Sequence, residues 1–412
     1  MNSGPPDNKQ YDVLIIGGGM VGASMACALA ALPLKIAIVE AFPFKANNQP
    51  SYDARSIALA YGSKRIFESL GLWDDLQADA TAIKNIHISN QGQCGVTRLD
   101  ATSERLPALG YVIENRNLGN ALLKKLETFD NVDLICPAKL NNLQITEAYA
   151  DVEIQQGEKT INLRCKLVIG ADGGNSKVRQ LIDIDSSVKD YHQTAVISNV
   201  TPGKSHNNTA YERFTPQGPI AVLPMSDNRC SLVLTVNNES LDQVLAMDDE
   251  TFLTHLESRF GFRTGGFSKT SARHAYPLNL MKINQHYKNR AVIIGNAAHT
   301  LHPIAGQGFN LGIRDVSVLS QVIADAVKNN TDIGDASVLK NYEQQRKLDQ
   351  KKVAFITDNL ANIFSNDFFP LTKLRSKGLA LADILPPAKH FIAKEAMGLS
   401  GPLPKLSRGL PL

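Results

Sequence analysis

Apolar and polar positions near the N-terminus alternate in blocks that predict a βαβ unit. Residues 11–16 (YDVLII) form a short apolar run that ends in glycines, and an alanine-rich apolar segment follows as far as Leu32. Pro33 separates this segment from a second strand-like run, residues 34–39. A strand, a glycine turn, a helix and a second strand in this order predict two parallel strands joined by a right-handed crossover.

Two later segments also have the pattern of a buried strand that ends in small residues. Residues 166–170 (KLVIG) lead into Ala-Asp-Gly-Gly, and residues 290–295 (RAVIIG) lead into Asn296 and then a glycine-containing loop. A helical pattern follows over residues 312–327. We therefore expect these strands to belong to the same α/β domain as the N-terminal unit.

The chain between these segments has a different pattern. Residues 193–200, 211–225 and 229–236 are rich in β-branched and aromatic residues and contain or adjoin turn sequences, which predicts consecutive antiparallel strands. From residue 341 the pattern is helical. The predicted organisation is an α/β domain in two parts (1–183 and 281–340), an inserted β-rich domain (184–280, with 76–100 as a candidate contribution) and a helical C-terminal region (341–412).

Composition narrows the class of protein. The 43 basic and 40 acidic residues leave a formal charge of +3, which is too small and too dispersed to indicate nucleic-acid binding. The five cysteines are scattered without a C-x-x-C pair, which argues against a disulfide framework or a thiolate zinc site and fits a reducing cytoplasm. No secretion signal or membrane-spanning stretch is evident. We expect a cytoplasmic protein, with contact to the inner membrane as an open alternative.

The first chemical motif is the glycine loop after the first predicted strand. Gly17, Gly19 and Gly22 have the spacing that allows a tight turn, close approach of a pyrophosphate and close packing of helix on strand. Glu40 ends the second predicted strand, where a carboxylate can accept hydrogen bonds from an adenosine ribose. This arrangement predicts a dinucleotide site but does not separate NAD from FAD.

The second and third motifs favour the longer cofactor. Residues 169–179 place Asp172 and Gly173 at one strand end, and residues 295–310 place Asn296 at another, followed by glycines that enter a helix. Three such sites on one sheet suit an extended ligand better than a small nicotinamide cofactor. Backbone N–H groups at the start of that last helix, residues 306–311, would also stabilise negative charge at a flavin edge.

Together the three motifs resemble those of the class A flavoprotein monooxygenases, the aromatic hydroxylases typified by p-hydroxybenzoate hydroxylase. The resemblance implies an FAD-binding Rossmann-like domain with an inserted antiparallel β substrate domain and a helical C-terminus. It implies that Asp172 lies beside the ribityl–pyrophosphate region of FAD and Asn296 near the ribityl chain. Asn296 stands where the family usually has Asp, so it can bond a hydroxyl but adds no charge.

Further segments are similar to the ubiquinone-biosynthesis hydroxylases within that family: residues 52–59, 114–118, 212–215, 223–227 and 302–315. The resemblance implies a monooxygenase that uses FAD, NAD(P)H and O2, forms a C4a-hydroperoxyflavin and hydroxylates a polyprenylated phenol, 2-polyprenyl-6-methoxyphenol. Open alternatives are hydroxylation at another ring position of the same pathway, a flavin-dependent prenyl reductase and, least favoured, a non-enzymatic prenyl-binding escort.

Site residues follow from the motifs and the resemblance. The loop at the flavin face is predicted to contain His302, Pro303 and Gly306, with no acid or base assigned. Strand residues predicted to contact the substrate are Tyr211, Arg213, Phe214 and Pro224. His299 and His302 lack further ligands nearby, so no metal site is expected. The predicted cofactor-binding residues are Gly17, Gly19, Gly22, Glu40, Arg55, Arg116, Asp172, Gly173, Asn296, Gly308, Phe309 and Asn310.

The predicted substrate also indicates which surfaces and proteins the enzyme is expected to contact. A polyprenyl tail is almost insoluble in water, so the enzyme is expected to meet it at a membrane surface or within an assembly of ubiquinone-biosynthesis proteins. Residues 371–391 are apolar with interleaved Lys373, Arg375, Lys377 and Lys389, which fits either a membrane contact or an ordinary packed helix pair. A second copy of the chain is a further candidate partner.

Overall fold

A computed structural model describes residues 9–44, 55–93, 95–302, 306–364, 381 and 383–412. The helices are α1 (Met20–Leu29), α2 (Tyr61–Ser69), α3 (Trp73–Leu76), α4 (Asn115–Leu126), α5 (Lys177–Leu181), α6 (Leu241–Ala246), α7 (Asp249–Phe260), α8 (Gln307–Lys328), α9 (Ala336–Phe364) and α10 (Pro386–Ala396). The strands are β1 (Lys9–Ile16), β2 (Ile36–Val39), β3 (Ser56–Ala60), β4 (Thr81–Ile83), β5 (Asn85–Asn90), β6 (Val96–Asp100), β7 (Gly110–Glu114), β8 (Val132–Ile135), β9 (Lys139–Ile145), β10 (Ala150–Gln156), β11 (Lys159–Gly170), β12 (Ser186–Pro202), β13 (Thr209–Phe214), β14 (Ile220–Pro224), β15 (Cys230–Asn237), β16 (Phe267–Thr270), β17 (His274–Ile283), β18 (Tyr287–Lys288), β19 (Ala291–Ile293) and β20 (His299–Thr300).

The predicted βαβ unit is confirmed and lies at the centre of an eight-stranded sheet. β1 pairs in parallel with β2 on one side and with β11 on the other, and β11 pairs in parallel with β19. Alternate residues of β1 enter two hydrophobic cores, Val13 and Ile15 on one face and Leu14 and Ile16 on the other. Burial of both faces explains why the strand is a continuous apolar run and not an alternating one.

A nine-stranded sheet forms the second layer. The predicted strands between residues 193 and 236 are confirmed, and they pair in the order β12–β15–β14–β13, so the run 211–225 is two strands and not one. β5 and β6 extend the same sheet beside β13, and β17 pairs with β12 on the other side. One face of this sheet packs against α7 through Phe252, Leu256 and Phe260. We call this the outer face, and the opposite one the inner face.

A small three-stranded sheet connects the two large ones. It has the order β3–β7–β4, and Ala58 of β3 packs against a hydrophobic cluster that includes Ala210 on the inner face of the nine-stranded sheet. The domain boundaries remain a prediction. Residues 85–100 contribute to the nine-stranded sheet, because β5 pairs with β13 and β6 pairs with β5.

The C-terminal end of the chain returns to the core of the eight-stranded sheet. After α10, Leu406 joins the hydrophobic core that contains Val13 and Ile15. The carbonyl oxygen of Met397 accepts a hydrogen bond from the backbone N–H of Gly62 at 2.8 Å, and the hydroxyls of Ser317 and Ser407 lie 2.9 Å apart. The helical C-terminal region expected from the sequence is thus present and packs on α2 and α8.

Candidate active site

The three sequence motifs converge at the carboxyl edge of the eight-stranded sheet. Ile16 pairs with Val39 on one neighbouring strand and with Gly170 on the other, and Gly170 pairs with Ile293. The loops that follow these four strand ends therefore lie side by side. This is the position at which open α/β sheets bind their ligands.

Two glycines of the first motif have no room for a side chain. A Cβ on Gly22 would lie 1.9 Å from the carbonyl oxygen of Gly17, and a Cβ on Gly17 would lie 2.4 Å from that of Ala171 in the second motif. Gly17 also has φ +103°, which L-residues rarely adopt. The third motif also approaches α1 closely, because a Cβ on Gly295 would lie 3.0 Å from the side chain of Val21.

Glu40 is placed at the end of β2 as expected. Its side chain is buried, and its two oxygens accept hydrogen bonds from the backbone N–H groups of Gly18 (2.6 Å) and Phe42 (2.9 Å). A carboxylate has further lone pairs for ligand hydroxyls. Gly19 begins α1, and no side chain caps that helix, so its first N–H groups are available to a phosphate.

Asp172 and Gly173 follow the end of β11. One oxygen of Asp172 accepts from the N–H groups of Lys177 (2.7 Å) and Val178 (3.1 Å), and the other is buried without a partner among the described residues. Burial raises the pKa of Asp172 above its ordinary value, and its hydrogen bonds oppose that effect. Gly173 has φ +82° and open space around its Cα.

A clamp between the second and third motifs was not predicted. Arg179 on α5 is buried and donates to the carbonyl oxygens of Ala297 (2.7 Å) and Gly174 (2.8 Å). It therefore fixes the loop after β11 to the loop after β19. The sequence signal was available, since the expected motif includes residue 179, but a lone arginine does not reveal whether it binds ligand or backbone.

A buried charged network behind Asn296 was also not predicted. The side chain of Asn296 is exposed, on the turn Gly295–Ala297. The fully buried Asp315 of α8 supports that turn, because one of its oxygens accepts from the N–H of Gly295 at 3.0 Å and lies 2.7 Å from Nε2 of His299. Its other oxygen accepts from Nε of Arg346 at 2.6 Å.

Electrostatics keep this network ionised. Burial alone would raise the pKa of Asp315, but the positive charge of Arg346 and the contact with His299 hold it well below the ordinary value. Gln350 of α9 donates to the same carboxylate at 2.9 Å. The network thus ties the third motif to both long helices.

The N-terminus of α8 faces the same edge. Gly306 adopts φ +59° and no side chain caps the helix, while Gly308 has open space where a Cβ would stand. Both positions suit close approach of a ligand to backbone N–H groups, as expected.

The side chains of Phe309 and Asn310 are engaged within the protein, so a cofactor contact at these two positions stays a prediction for the backbone. The ring of Phe309 stacks on Phe67 in the core with centroids 6.3 Å apart.

Both ends of the Asn310 amide are engaged within the protein. Its Oδ1 accepts from the N–H of Ala60 and the hydroxyl of Ser63, both at 2.8 Å. Its Nδ2 donates to the carbonyl oxygens of Ala58 (2.8 Å) and Gly306 (2.7 Å). Asn310 therefore holds the loop before α8 against β3, and any cofactor contact would come from its backbone.

His302 precedes that loop and is fully buried. Its ring lies edge-on to Tyr191, with centroids 5.1 Å apart, and neither ring nitrogen has a hydrogen-bond partner among the described residues. Burial lowers the pKa of His302 from 6.5 to about 4, so the ring is neutral at pH 7. Pro303, which was assigned to the flavin face, lies outside the described residues.

The two predicted cofactor arginines differ in their surroundings. Arg55 lies at the start of β3 with its guanidinium 4.6 Å from the ring centroid of Tyr276, on the inner face of the nine-stranded sheet. Arg116 forms an ion pair with Glu114 (2.6 Å) and lines a polar cavity of about 130 Å³ that also contains Arg229. A cofactor contact by Arg116 remains a prediction.

The predicted substrate residues are divided between the two faces of the nine-stranded sheet. Tyr211 contacts the ring of Phe260 (centroids 5.8 Å apart), and Nε of Arg213 donates to the carbonyl oxygen of Arg259 (3.1 Å), both on α7. Pro224 pairs with Cys230, and Cys230 belongs to the core beneath α7. These three residues therefore lie on the outer face, on the side of the sheet that α7 covers.

Phe214 alternates with Arg213 along β13 and therefore lies on the inner face. Its contact with substrate stays a prediction. Inner-face residues Ile197, Leu223 and Val233 are apolar and only partly buried, so that face offers an apolar wall opposite the converging motifs.

The described residues fit FAD. One edge of the sheet is surrounded by groups that suit this cofactor. They are two helix N-termini without side-chain caps, glycines without room for side chains, a carboxylate at the expected ribose position and a buried Asp172 oxygen without a partner among the described residues. Among the helices in the described ranges, none combines the length and apolarity needed to cross a bilayer. In the same ranges, no three His, Cys, Asp or Glu side chains are grouped to hold a metal ion.

Comparison with known proteins agrees with this site. A family model described as an FAD binding domain matches residues 10–355. The chain is 35% identical over 408 residues to "Ubiquinone hydroxylase UbiL" of Rhodospirillum rubrum, covering 98% of this chain and 94% of that protein. It is 33% identical over 395 residues to 3-demethoxyubiquinol 3-hydroxylase of Escherichia coli, covering 95% of this chain and 100% of that protein.

Among solved structures, p-nitrophenol 4-monooxygenase PnpA from Pseudomonas putida has the same fold, with a TM-score of 0.79 at 17% identity over 95% of this chain and 99% of that one. The family model and the two relatives each cover most of this chain. The protein therefore belongs to the FAD-binding domain family and, within it, to the FAD-dependent monooxygenases that hydroxylate ring intermediates of ubiquinone biosynthesis.

Proposed function

We propose that the protein hydroxylates 2-polyprenyl-6-methoxyphenol para to its hydroxyl, with NAD(P)H as electron donor and O2 as co-substrate. The observation that carries this proposal is the apolar inner face of the nine-stranded sheet, which lies opposite the loop at Gly306 and offers Ile197, Leu223 and Val233 to an aromatic ring and its tail. The sequence segments similar to the ubiquinone-biosynthesis hydroxylases support the same substrate class.

Different residues of this chain would hold the cofactor and keep water from the reacting centre. Glu40, Asp172 and the N-termini of α1 and α8 would hold the cofactor along its length, and bound FAD supplies the oxygen transfer to the ring. The backbone N–H groups after Gly306 would face the flavin edge where negative charge develops. The apolar inner face and the neutral, buried His302 would keep water from the reacting centre.

Hydroxylation at another ring position is the second candidate. It is favoured by the name of the E. coli relative, 3-demethoxyubiquinol 3-hydroxylase, at 33% identity over 95% of this chain. Both candidates use the same cofactor and the same apolar wall, and they differ in the ring intermediate that is bound and in its orientation.

The test is to incubate purified holoprotein with NADPH, O2 and a short-tailed 2-prenyl-6-methoxyphenol, and to locate the new hydroxyl by mass spectrometry and NMR. We expect substrate-dependent oxygen uptake and a product hydroxylated para to the original hydroxyl. A hydroxyl at another position would favour the second candidate. Oxygen uptake that ends only in hydrogen peroxide would contradict both.

We also propose that the C-terminal region touches a membrane surface. Residues 371–380 lie outside the described residues, but Leu381, Ile384, Leu385 and Phe391 are 56%, 73%, 44% and 56% exposed. Lys389 lies among them on α10. We expect a smaller fraction of the Ile384→Asp variant than of wild type to sediment with vesicles that contain anionic and neutral lipid. Equal fractions for the two proteins would contradict the contact.

A further inference from the structure

The pleat of β13 directs Glu212 to the inner face. Its neighbours Tyr211 and Arg213 both contact α7 on the outer face, and successive side chains of a strand point to opposite sides. Glu212 is the one acidic residue in β13, β14 and β15. The apolar wall opposite the cofactor loops therefore contains one carboxylate.

Glu212 is buried between apolar neighbours on the two adjacent strands. The residue is only 9% exposed, and its register neighbours are Ala221 on β14 and Ile88 on β5. Ala221 in turn pairs with Val233. A carboxylate in such a place needs hydrogen-bond donors, and its two oxygens can accept from several donors at once, so a ligand hydroxyl can join any protein partner.

One hydrophobic cluster connects the loop before α8 with the wall. A Cβ on Gly306 would lie 3.1 Å from Cβ of Ala58. Ala58 and Leu223 both pack against the cluster that contains Ala210, which lies two residues before Glu212 on the same face of β13. A ring bound beside Gly306 would therefore be close to the part of the wall that carries Glu212.

We propose that Glu212 accepts the hydrogen bond of the substrate's phenol hydroxyl and thereby orients and activates the ring. This inference rests on the proposed function. A hydrogen bond from the hydroxyl to a carboxylate increases electron density on the phenol oxygen and hence on the ortho and para carbons, which are the carbons an electrophilic oxygen attacks. The apolar Phe214, next on the same face, would contact the ring or the first prenyl unit.

The test compares Glu212→Gln with Glu153→Gln, which makes the same change on β10 of the other large sheet. With the short-tailed methoxyphenol, kcat of Glu212→Gln should fall about 100-fold, the usual order for loss of a proton-handling group. Its FAD content and urea midpoint should match those of Glu153→Gln. Unchanged kcat, or a loss that follows lost flavin, would overturn the inference.

A binding measurement separates this inference from the proposed function, because it needs no turnover. 4-Nitrophenol changes colour on ionisation, and a nearby carboxylate disfavours its anion, so the pKa of the bound probe should fall by about one unit in Glu212→Gln. The same probe pKa in both proteins would overturn the contact with Glu212. Wild type that forms no hydroxylated product would instead contradict the proposed function alone.

Discussion

The carboxyl edge of the parallel sheet and the inner face of the nine-stranded sheet form the site by different physical means. At the sheet edge, backbone atoms form the site. Gly22 and Gly17 pack so closely against neighbouring backbone that neither has room for a Cβ, and the helix N-termini present N–H groups that no side chain caps. On the inner face, side chains make the surface, and the pleat of each strand decides which ones.

The difference implies different sensitivities. An added atom at the sheet edge should abolish the cofactor site, whereas on the nine-stranded sheet the outcome of a substitution depends on the face to which it points. The largest effects of substitution are therefore expected at the sheet edge.

Gly22→Ala should give the largest effect. The new Cβ would stand 1.9 Å from the carbonyl oxygen of Gly17, so β1 and α1 must separate. We expect little folded protein and no flavin absorbance near 450 nm. Gly174→Ala is the control, because its Cβ would meet only the Thr300 hydroxyl oxygen at an ordinary 3.7 Å. Full flavin content in Gly22→Ala would show that the packing at this edge is not rigid.

Asp315→Asn should follow in size. It removes one of the two carboxylates that pair with the buried guanidinium of Arg346, the other being Asp349, so we expect a loss of about 3 kcal/mol of unfolding free energy, the low end for breaking a buried ion pair. Urea unfolding would measure the loss, and flavin release would report whether the turn at Gly295 shifts. Asp151→Asn, in a pair with Arg164 that is about one-third exposed on each side, should cost at most about 1 kcal/mol. Equal losses would contradict the network.

His302 predicts a dependence of stability on pH. The unfolded chain binds a proton near pH 6.5 while the folded ring resists it until about pH 4, so the free energy of unfolding should fall as pH drops through that window. The upper limit of this effect is about 3 kcal/mol. His302→Phe should reduce the slope of the profile between these pH values, leaving the part due to His87, whose pKa burial also lowers to about 4, and the exposed His192→Gln should not change it. An unchanged slope in His302→Phe would mean that other groups titrate there.

The smallest effects are expected from a pair of aromatic residues on β13. Tyr211→Phe alters the outer face and should leave KM for the prenylated phenol within about twofold. Phe214→Leu alters the inner face and should raise KM up to about tenfold through lost apolar contact. Steady-state kinetics with one substrate would measure both. The reverse order would show that the assignment of faces is wrong.

The parts of the structure that sequence could predict are those encoded locally. Gly17, Gly22 and Glu40 lie in one short stretch of chain whose spacing reflects the backbone geometry of a single βαβ unit. The fold class followed for the same reason, since strand, turn and helix patterns are short-range.

The substrate residues could not be predicted in the same way. Whether Tyr211 or Glu212 faces the cofactor depends on which sheet face α7 covers, and α7 starts more than thirty residues later. Asp315 was missed because its partners His299 and Arg346 approach it only after α8 and α9 pack. Long-range pairing decides both cases, and no local pattern reports it.

The return of the chain end to the core has a consequence for biosynthesis. Leu406 packs in the same core as Val13, the third residue of the first apolar run. The hydrophobic interior around the N-terminal nucleotide fold is thus incomplete until Leu406 has been synthesised. Strands that form earlier keep part of one face uncovered until then, and removal of the segment around Leu406 would destabilise the N-terminal βαβ unit.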